Sequence, residues 1–420
     1  MHNKTVFQNG LRVVSERVAG AHTVALGIWV DVGSRDETAD VSGTSHFVEH
    51  MFFKGTARRS AHQISRQLDS FGGMANAFTS KDTTCLHATV LVDKLPELID
   101  LFADMFHHSR FADDEVERER QVILQEISMV EDIPEDQVHD LFEALFWGEH
   151  ALARPVLGDQ QVVSGMTGSR LHDYVGEMYD PGRIVISCAG KVDHQELCAL
   201  LEPLFGDFSR RSAGLRRAAP AADRPLPRRA VTKELEQVQL MMGVKALEIT
   251  APERYALVLL NTILGGNMSS RLFQEIREKR GLAYSISSFI ESYIDCGYLG
   301  VSCGVGPQAV NDTMALINEQ LQQVTLEKNL LADEMQHALD YAQGSIYLAA
   351  ENLDSRMARN ARNELYFGRD IPLEEVVAQF SKVRAADIAG LAARLFSGPL
   401  CIVALGPPAE TEVVWPSYVG

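Results

Sequence analysis

The sequence has no closely spaced pair of cysteines of the kind that builds a disulfide framework. Its six cysteines are scattered along 420 residues, and most of them lie in apolar runs: Cys85, Cys188, Cys198, Cys296, Cys303 and Cys401. Isolated cysteines in apolar surroundings are typical of buried free thiols. We therefore predict a reducing compartment and no disulfide bonds.

Long hydrophobic runs are also missing. No stretch approaches the roughly 18 uncharged apolar residues of a membrane-spanning helix, and residues 1–10 lack the apolar segment of a secretory signal. We expect no membrane span and a bacterial cytoplasmic location. A mature organellar protein whose presequence has been removed is the alternative.

Positive charge is scarce relative to negative charge. The chain has 39 Lys and Arg against 57 Asp and Glu, a formal net charge of −18. Such a protein repels phosphates, which argues against a nucleic-acid partner. The remaining composition, 46% hydrophobic and 23% charged, is ordinary for a globular protein. A chain of this length exceeds one hydrophobic core, so we expect two or more domains.

His46, Glu49 and His50 form the pattern His-x-x-Glu-His inside an apolar run. Residues four positions apart lie above one another on a helix, so the two imidazoles can bind one metal ion. Glu49 lies close enough to reach a water molecule on that metal. A single buried histidine is usually a core residue, but this pattern reverses the His-Glu-x-x-His zinc motif and indicates a metal-binding helix.

A third metal ligand is expected on a later helix, over residues 113–130, which is rich in glutamate. Glu119 and Glu126 are seven positions apart and share a face of this helix. Glu126 lies in the run Val-Ile-Leu-Gln-Glu-Ile, where a carboxylate requires a cation or a metal. Glu115 and Glu117 are better explained as a solvated face that pairs with arginines.

The other elements of the first half follow from turn residues and periodicity. Asn9-Gly10 predicts a type I′ hairpin turn within 5–17. Thr44 or Ser45 is the expected N-cap of the metal-binding helix. Periodicity predicts strands over 23–33, 74–79, 83–92 and 184–190, and helices over 61–71, 95–107, 137–147, 168–178 and 193–204.

The chain after residue 230 repeats this plan. The strand at Val238 matches the strand at Val24, and the strand that ends at Gly406 matches the one that ends at Gly190. The two offsets are 214 (238 − 24) and 216 (406 − 190) residues, which indicates two homologous α+β halves. The second half has Leu-Asn-Thr-Ile-Leu-Gly-Gly-Asn in place of the metal motif and is therefore expected to bind no metal.

We predict three regions: a metal-binding domain over 1–208, a connecting segment over 209–230 and a homologous domain over 231–420. The connecting segment is rich in Arg, Ala and Pro and has no hydrophobic period. It is either a segment that binds a partner or a solvated connector, and we favour the connector.

A helix from Ser269 to Arg280 is expected in the second half, ending at Gly281. Arg277 lies in its last turn and Tyr284 follows it. From the residues alone, these two side chains are explained by the helix dipole and by a half-buried aromatic ring.

These motifs resemble those of the pitrilysin/insulinase family of zinc peptidases, in its half-length branch close to the mitochondrial processing peptidase β subunit and bacterial relatives. The resemblance covers nearly the whole chain. It rests on residues 43–56, on Gly-Gly-Met-Ala-Asn-Ala-Phe-Thr at 72–79, on the spacing of Glu119 and Glu126, and on Arg277 followed by Gly-Leu-Ala-Tyr284.

The resemblance implies one Zn²⁺ per chain, bound by His46, His50 and Glu126. It implies that Glu49 is the general base and that Glu119 supports the site by orienting a histidine. It also implies two sets of substrate-contacting residues, an edge strand of the first half and an Arg/Tyr pair of the second: Asn76, Ala77, Phe78, Arg277 and Tyr284.

The family fold implied is α+β, with two homologous α/β-sandwich halves facing each other as a clamshell around a closed chamber. Each half has an antiparallel-rich sheet with helices on one side. The expected activity is a zinc-dependent endopeptidase that cleaves peptides or unfolded, presequence-like segments. A half-length chain holds two of the four units of full-length relatives, so we expect a homodimer.

Three readings stay open at this point. The first, which we favour, is an active zinc endopeptidase that works as a homodimer. The second is the catalytic subunit of a heterodimeric processing peptidase, inactive without its partner. The third reading is a noncatalytic scaffold of the same fold, although a scaffold has no physical need for His46, Glu49, His50 and Glu126 together.

Overall fold

The computed structural model describes residues 2–209, 217–221, 226–407 and 413–415. Residues 210–216 and 222–225 of the predicted connecting segment therefore lie outside the described part of the chain. All six cysteines are free, as predicted; four are buried, and Cys198 and Cys296 are partly exposed. In the described part of the chain, no helix has the length and apolar character needed to cross a membrane.

Six strands of the first half form one sheet in the order β1-β2-β6-β3-β5-β4. They are β1 (His2–Val6), β2 (Arg12–Arg17), β3 (Thr23–Val30), β4 (Met74–Thr79), β5 (Thr84–Leu91) and β6 (Ile184–Gly190). The central strand β3 is buried over nearly its whole length. Because both of its faces are covered, its sequence is continuously apolar and does not alternate.

Five strands of the second half form a sheet in the order β7-β11-β8-β10-β9. They are β7 (Arg228–Thr232), β8 (Val238–Ala246), β9 (Ala283–Ser292), β10 (Gly297–Val305) and β11 (Cys401–Gly406). β7 pairs with β11 in parallel, as β2 does with β6. The remaining pairs, four in the first sheet and three in the second, are antiparallel. The predicted repeat is confirmed, and only β1 lacks a counterpart among the described residues.

The helices of each half pack mainly against one face of its sheet and enclose an apolar core. Those of the first half are α1 (Thr44–Met51), α2 (Ala61–Ser70), α3 (Leu95–His108), α4 (Asp113–Asp132), α5 (Pro134–Trp147), α6 (Gln160–Ser164), α7 (Gly168–Met178) and α8 (His194–Phe205). Those of the second half are α9 (Arg254–Leu264), α10 (Val310–Gln323), α11 (Ala332–Ala350), α12 (Leu353–Phe367), α13 (Leu373–Phe380) and α14 (Ala385–Leu395).

Two helices are exchanged between the halves. The chain divides into a first compact unit, 1–129, 154–218 and 348–370, and a second, 130–153, 219–347 and 371–420. The first unit therefore contains α12, and the second contains α5. The boundaries predicted from the sequence follow the repeat, whereas the compact units exchange one helix each.

Each exchanged helix covers the second face of a sheet at a glycine. A Cβ at Gly27 of β3 would lie 2.5 Å from Sδ of Met357, on α12. A Cβ at Gly243 of β8 would lie 2.6 Å from the ring of Phe142, on α5. The two glycines are 216 residues apart (243 − 27), the offset of the repeat. Both positions lack a side chain because the helix lies too close for one.

Two local predictions need correction. The first hairpin has a three-residue loop between Phe7 and Leu11, and only Gly10 has a positive φ (92°), so the type I′ turn is wrong. The predicted helix 269–280 is largely a π-helix over Phe273–Glu278. Its wider turns place Arg277 close to Phe273, with the guanidinium 4.6 Å from the ring centre.

Arg217 shows that the connecting segment is not a solvated connector throughout. Its side chain is only 12% exposed and forms ion pairs with Asp31 and Asp36. For this residue the expectation of a solvated arginine is wrong, because two carboxylates of the first unit bind it, and that of Asp36 is buried.

Candidate metal centre

The metal motif lies on α1, whose first turn is fixed by an acidic side chain from the preceding loop. Gly43 is the N-cap residue, in the left-handed conformation (φ 92°), and no side chain of its own caps the helix. The Glu37 carboxylate accepts hydrogen bonds from the amides of Gly43 (2.7 Å) and Ser45 (2.6 Å). The prediction of Thr44 or Ser45 as N-cap is therefore wrong, because Glu37 supplies the acceptor.

Glu37 is 3% exposed and lies among further buried polar groups. Burial raises the pKa of its carboxyl to about 7, although the Ser45 and Gly43 amides favour the anion. The hydroxyl of Ser45 lies 2.7 Å from that of Tyr174, on α7. The start of α1 is thus anchored on two sides within the first unit.

His46, His50 and Glu126 come together beside α1. The Nε2 atoms of the two histidines are 3.3 Å apart. Oε2 of Glu126, from α4, lies 3.8 Å from Nε2 of His46 and 3.5 Å from Nε2 of His50. Among the described residues, no other group of three His, Cys, Asp or Glu side chains is assembled closely enough to hold a metal.

The spacing and chemistry of this cluster fit a zinc ion. Zinc bonds to nitrogen and oxygen are about 2.0–2.2 Å long, so ligand atoms of a tetrahedral site are about 3.3–3.6 Å apart. The observed separations, 3.3 to 3.8 Å, are close to this range. Burial, together with the neighbouring His50, lowers the pKa of His46 to about 3. Its imidazole is therefore neutral and offers a lone pair at neutral pH.

Glu119 and Lys54 hold the other side of His50. Nδ1 of His50 donates a hydrogen bond to Oε1 of Glu119 (2.9 Å), and Nζ of Lys54 lies 2.6 Å from Oε2. Burial would raise the pKa of Glu119, but the His50 and Lys54 contacts outweigh it and hold this pKa below its usual value. An ionised Glu119 keeps the proton on Nδ1 and leaves Nε2 free to bind a metal.

Glu49 has a separate environment. Its Oε2 accepts a hydrogen bond from Oγ1 of Thr79 (2.6 Å), at the end of β4. Burial raises the pKa of Glu49, although the Thr79 hydrogen bond and the nearby His50 act in the opposite direction. A carboxyl with a raised pKa suits a group that accepts and returns a proton near neutral pH.

Asn76, Ala77 and Phe78 lie on β4, which is an edge of the first sheet among the described residues. Asn76 and Phe78 are exposed and Ala77 is buried, as expected for alternation along a strand. The amide of Ala77 donates a hydrogen bond to Oδ1 of the neighbouring Asn76 (2.9 Å). β4 ends at Thr79, whose hydroxyl donates a hydrogen bond to Glu49, so this end of the edge strand lies beside the Glu49 carboxylate.

Arg277 and Tyr284 belong to the second unit, where the structure brings them together. The guanidinium of Arg277 lies 5.2 Å from the ring centre of Tyr284. Tyr284 is 81% exposed. The half-buried tyrosine expected from the residues alone is therefore wrong, and the substrate-contacting role of the pair stays a prediction.

The sequence did not single out Glu37, Lys54 or Thr79. Lys54 and Thr79 each lie within one of the motif segments, four residues after His50 and directly after Phe78 respectively. Glu37 lies nine residues before His46 in an irregular loop, and no spacing rule connects it with the helix that it caps. On α4, the predicted solvated pairing is confirmed: Arg118 pairs with Glu115 at 2.7 Å.

The fold and the cluster define a class of protein: two homologous α+β halves, of which the first carries a histidine-carboxylate metal motif. The chain belongs to the insulinase family, peptidase family M16. The family profile matches residues 12–160, and that of the peptidase M16 inactive domain matches residues 165–339. The "inactive" match begins after the metal motif and covers the end of the first half and much of the second half.

Named relatives agree with this assignment. The zinc protease YmxG of Bacillus subtilis is 38% identical over 403 residues, which cover 95% of this chain and 97% of that protein. A zinc protease of Mycobacterium tuberculosis is 40% identical over 409 residues, 96% of this chain and 93% of that protein. Both relatives are named as uncharacterized zinc proteases, and with the family profile they support a metallopeptidase family for this chain.

Solved structures share the fold at low sequence identity. A protease from Helicobacter pylori has a TM-score of 0.90 at 22% identity, covering 97% of this chain and 99% of that one. A peptidase M16 inactive domain from Pseudomonas fluorescens has a TM-score of 0.91 at 19% identity, covering 98% and 99%. These likenesses confirm the predicted fold class of two homologous halves.

Proposed function

We propose that this chain is a zinc-dependent endopeptidase that cleaves peptides or unfolded segments of proteins. The observation that carries the proposal is the cluster of His46, His50 and Glu126, whose ligand atoms all lie within 4.8 Å of one another, with Glu49 alongside. Three protein ligands are the set typical of catalytic zinc, which keeps a fourth position for water or substrate.

Each residue of the cluster has a defined role in this proposal. His46 and His50 bind zinc through Nε2, and Glu126 binds it through a carboxylate oxygen. Zinc held by these ligands would lower the pKa of a water molecule to about 7 and act as a Lewis acid. Glu49 would accept a proton from the attacking water and return it to the leaving amine. Glu119 orients His50 by accepting its Nδ1 proton.

The edge strand β4 suggests how substrate is held. An extended peptide that pairs with Asn76, Ala77 and Phe78 binds through its backbone and tolerates many sequences. The amide of Ala77 must then exchange the Asn76 side chain for a substrate carbonyl. We also propose that Arg277 and Tyr284 contact the backbone of the substrate, as the family resemblance implies.

Assembly and location stay predictions. We expect two copies of the chain to form a homodimer that completes a closed chamber, and we expect a bacterial cytoplasmic protein. The molar mass of the purified chain, measured by light scattering, tests the first expectation.

The proposed function is tested on the purified full chain. We expect about one zinc per chain and cleavage of a quenched, unstructured peptide that a chelator abolishes and zinc restores. Zinc without cleavage would favour the heterodimer that requires a partner chain. A folded chain with neither zinc nor cleavage would contradict the proposal and favour the scaffold.

A further inference from the structure

Arg217, in the connecting segment, is bound by several polar groups of the first unit. Its guanidinium donates five hydrogen bonds: to Oδ1 of Asp31 (2.8 Å) and its carbonyl (3.2 Å), to Oδ1 and Oδ2 of Asp36 (2.9 and 2.7 Å), and to the carbonyl of Asp82 (2.7 Å). The side chains of Asp36 and Asp82 are 1% and 4% exposed. All of these residues belong to the first unit.

Asp36, one partner of Arg217, is connected to the metal-binding helix. Asp36 also accepts a hydrogen bond from the amide of Gly33 (3.0 Å), which closes the short turn before α1. The next residue is Glu37, whose carboxylate holds the Gly43 and Ser45 amides at the start of α1. The position of Asp36 therefore fixes where the capping carboxylate lies.

Asp82, another partner of Arg217, is connected to Glu49 through the turn in which it lies. Asp82 lies in the turn between β4 and β5, and this turn is hydrogen-bonded to the Asp36 loop through Ser34 and Ser80 (3.1 Å). Thr79, at the start of the turn, donates the hydrogen bond to Glu49. Arg217 thus joins the two segments that meet at the proposed general base.

Arg217 is one of several arginines beside the aspartates of the cluster. Asp31, Asp36 and Asp82 face Arg217 and two further arginines, Arg35 (3.1 Å from Asp82) and Arg183 (3.6 Å from Asp36). Removal of Arg217 leaves a surplus carboxylate in a buried site, and such a group drives its surroundings to rearrange or to admit water.

We propose that Arg217 is a positioning residue for the metal centre, acting from the connecting segment through Asp36 and the β4–β5 turn on Glu37 and Thr79. This inference rests on the proposed function for its kinetic consequence. Its structural consequence, a less ordered start of α1, does not depend on activity.

The decisive variants are Arg217→Met, which removes the charge, and Arg217→Lys, which keeps the charge but lacks the planar fork. Arg229→Met is the matched control, because Arg229 is an exposed arginine on β7. We expect Arg217→Met to lower kcat by about tenfold or more with little change in KM, since a displaced base slows the chemical step. Arg217→Lys should recover part of the loss, and Arg229→Met should behave as the unmodified chain.

Two readouts do not require cleavage. In Arg217→Met, hydrogen exchange of the Ser45 amide should accelerate by about tenfold while the amides of β6 keep their protection. The zinc dissociation constant, measured by chelator competition, should rise by about tenfold as well, because two ligands lie on α1. A uniform loss of protection in both segments would indicate general destabilisation and would overturn the inference.

The outcomes separate this inference from the proposed function. If the unmodified chain binds zinc but cleaves nothing, exchange and zinc affinity still decide the role of Arg217. If Arg217→Met does not fold, the same measurements on Arg217→Lys decide it. Unchanged exchange, zinc affinity and kcat in the folded variant would refute the positioning role.

Discussion

At the scale of single residues, the pKa values of two glutamates near His50 are shifted in opposite directions. Glu49 is partly buried and accepts one hydroxyl hydrogen bond, and its pKa is raised. Glu119 contacts Lys54 and His50, and its pKa is lowered. Environments that separate the pKa values of two carboxyls assign different roles to them, here a proton acceptor and a permanent anion.

The first prediction separates chemistry from metal binding. Glu49→Gln keeps the volume of the side chain and the zinc ligands, so we expect about one zinc per chain and a loss of kcat of about a thousandfold or more. His50→Ala should lose both zinc and activity. Metal content by mass spectrometry and peptide cleavage check both variants. A fully active Glu49→Gln chain would show that the base is another group.

The second prediction concerns Lys54. Lys54→Met removes the ammonium that holds Oε2 of Glu119, so Glu119 is a weaker acceptor for His50 and zinc affinity should fall by about tenfold. Lys54→Arg keeps the charge and should retain most of the affinity. Chelator competition measures both dissociation constants, and Lys94→Met, at a lysine with a partly exposed ion pair to Glu97, is the control.

At the scale of elements, the exchanged helices explain why two buried glycines interrupt the central strands. Gly27 and Gly243 occupy equivalent strands and face Met357 and Phe142. The helix α5 also contributes Phe146, whose ring packs 5.3 Å from that of Tyr298. Aromatic side chains from the exchanged helix therefore form the second core of that sheet.

The third prediction tests this close packing. Gly243→Ala places a methyl group 2.6 Å from the Phe142 ring, and overpacking of this kind destabilises by about 1–3 kcal/mol. Gly344→Ala is the matched control, because its Cβ meets nothing within 4 Å on helix α11. That substitution should stabilise by up to about 1 kcal/mol. Urea unfolding measures both, and equal stabilities would argue against the contact.

At the scale of the whole molecule, stability should depend on pH through a partly buried histidine. His194, at the start of α8, has its ring nitrogens 2.8 Å from the hydroxyl of Thr5 and 2.9 Å from that of Ser15. Burial, together with His2, lowers the pKa of His194, although Asp193 opposes this. The folded chain therefore binds the proton less readily than the unfolded chain.

The sign of the fourth prediction follows from that difference. Below the unfolded value of about 6.5, the unfolded chain takes up the proton first, so stability is full above this pH and falls below it. The slope from one group is at most about 1.4 kcal/mol per pH unit. The free energy of unfolding, measured in chelator at pH 7.5 and 5.5, should fall less for His194→Gln than for the exposed-site control His22→Gln. Equal falls would show that the pKa of His194 does not differ between the folded and unfolded chains.

The sequence by itself determined the metal motif and most elements of the first half. In the second half it predicted β8, β11 and a helix over 269–280, but not β9, β10 or the helices α10 to α14. The offsets of 214 and 216 residues predicted two related halves. His46 and His50 are separated by one helical turn, a distance that local geometry fixes, so their shared face was predictable. Glu126 was found because a carboxylate in an apolar run needs a cation.

Only the tertiary structure decided which distant residues hold these elements in place. Glu37 caps α1, Lys54 binds Glu119, Thr79 binds Glu49, and Arg217 binds the Asp36 loop. These contacts connect residues at no regular spacing in the chain, so no sequence pattern predicts them. The tertiary structure also decided the exchange of α5 and α12. Each of these helices packs against the sheet whose apolar face the rest of the chain leaves uncovered, and the local sequence does not specify which sheet that is.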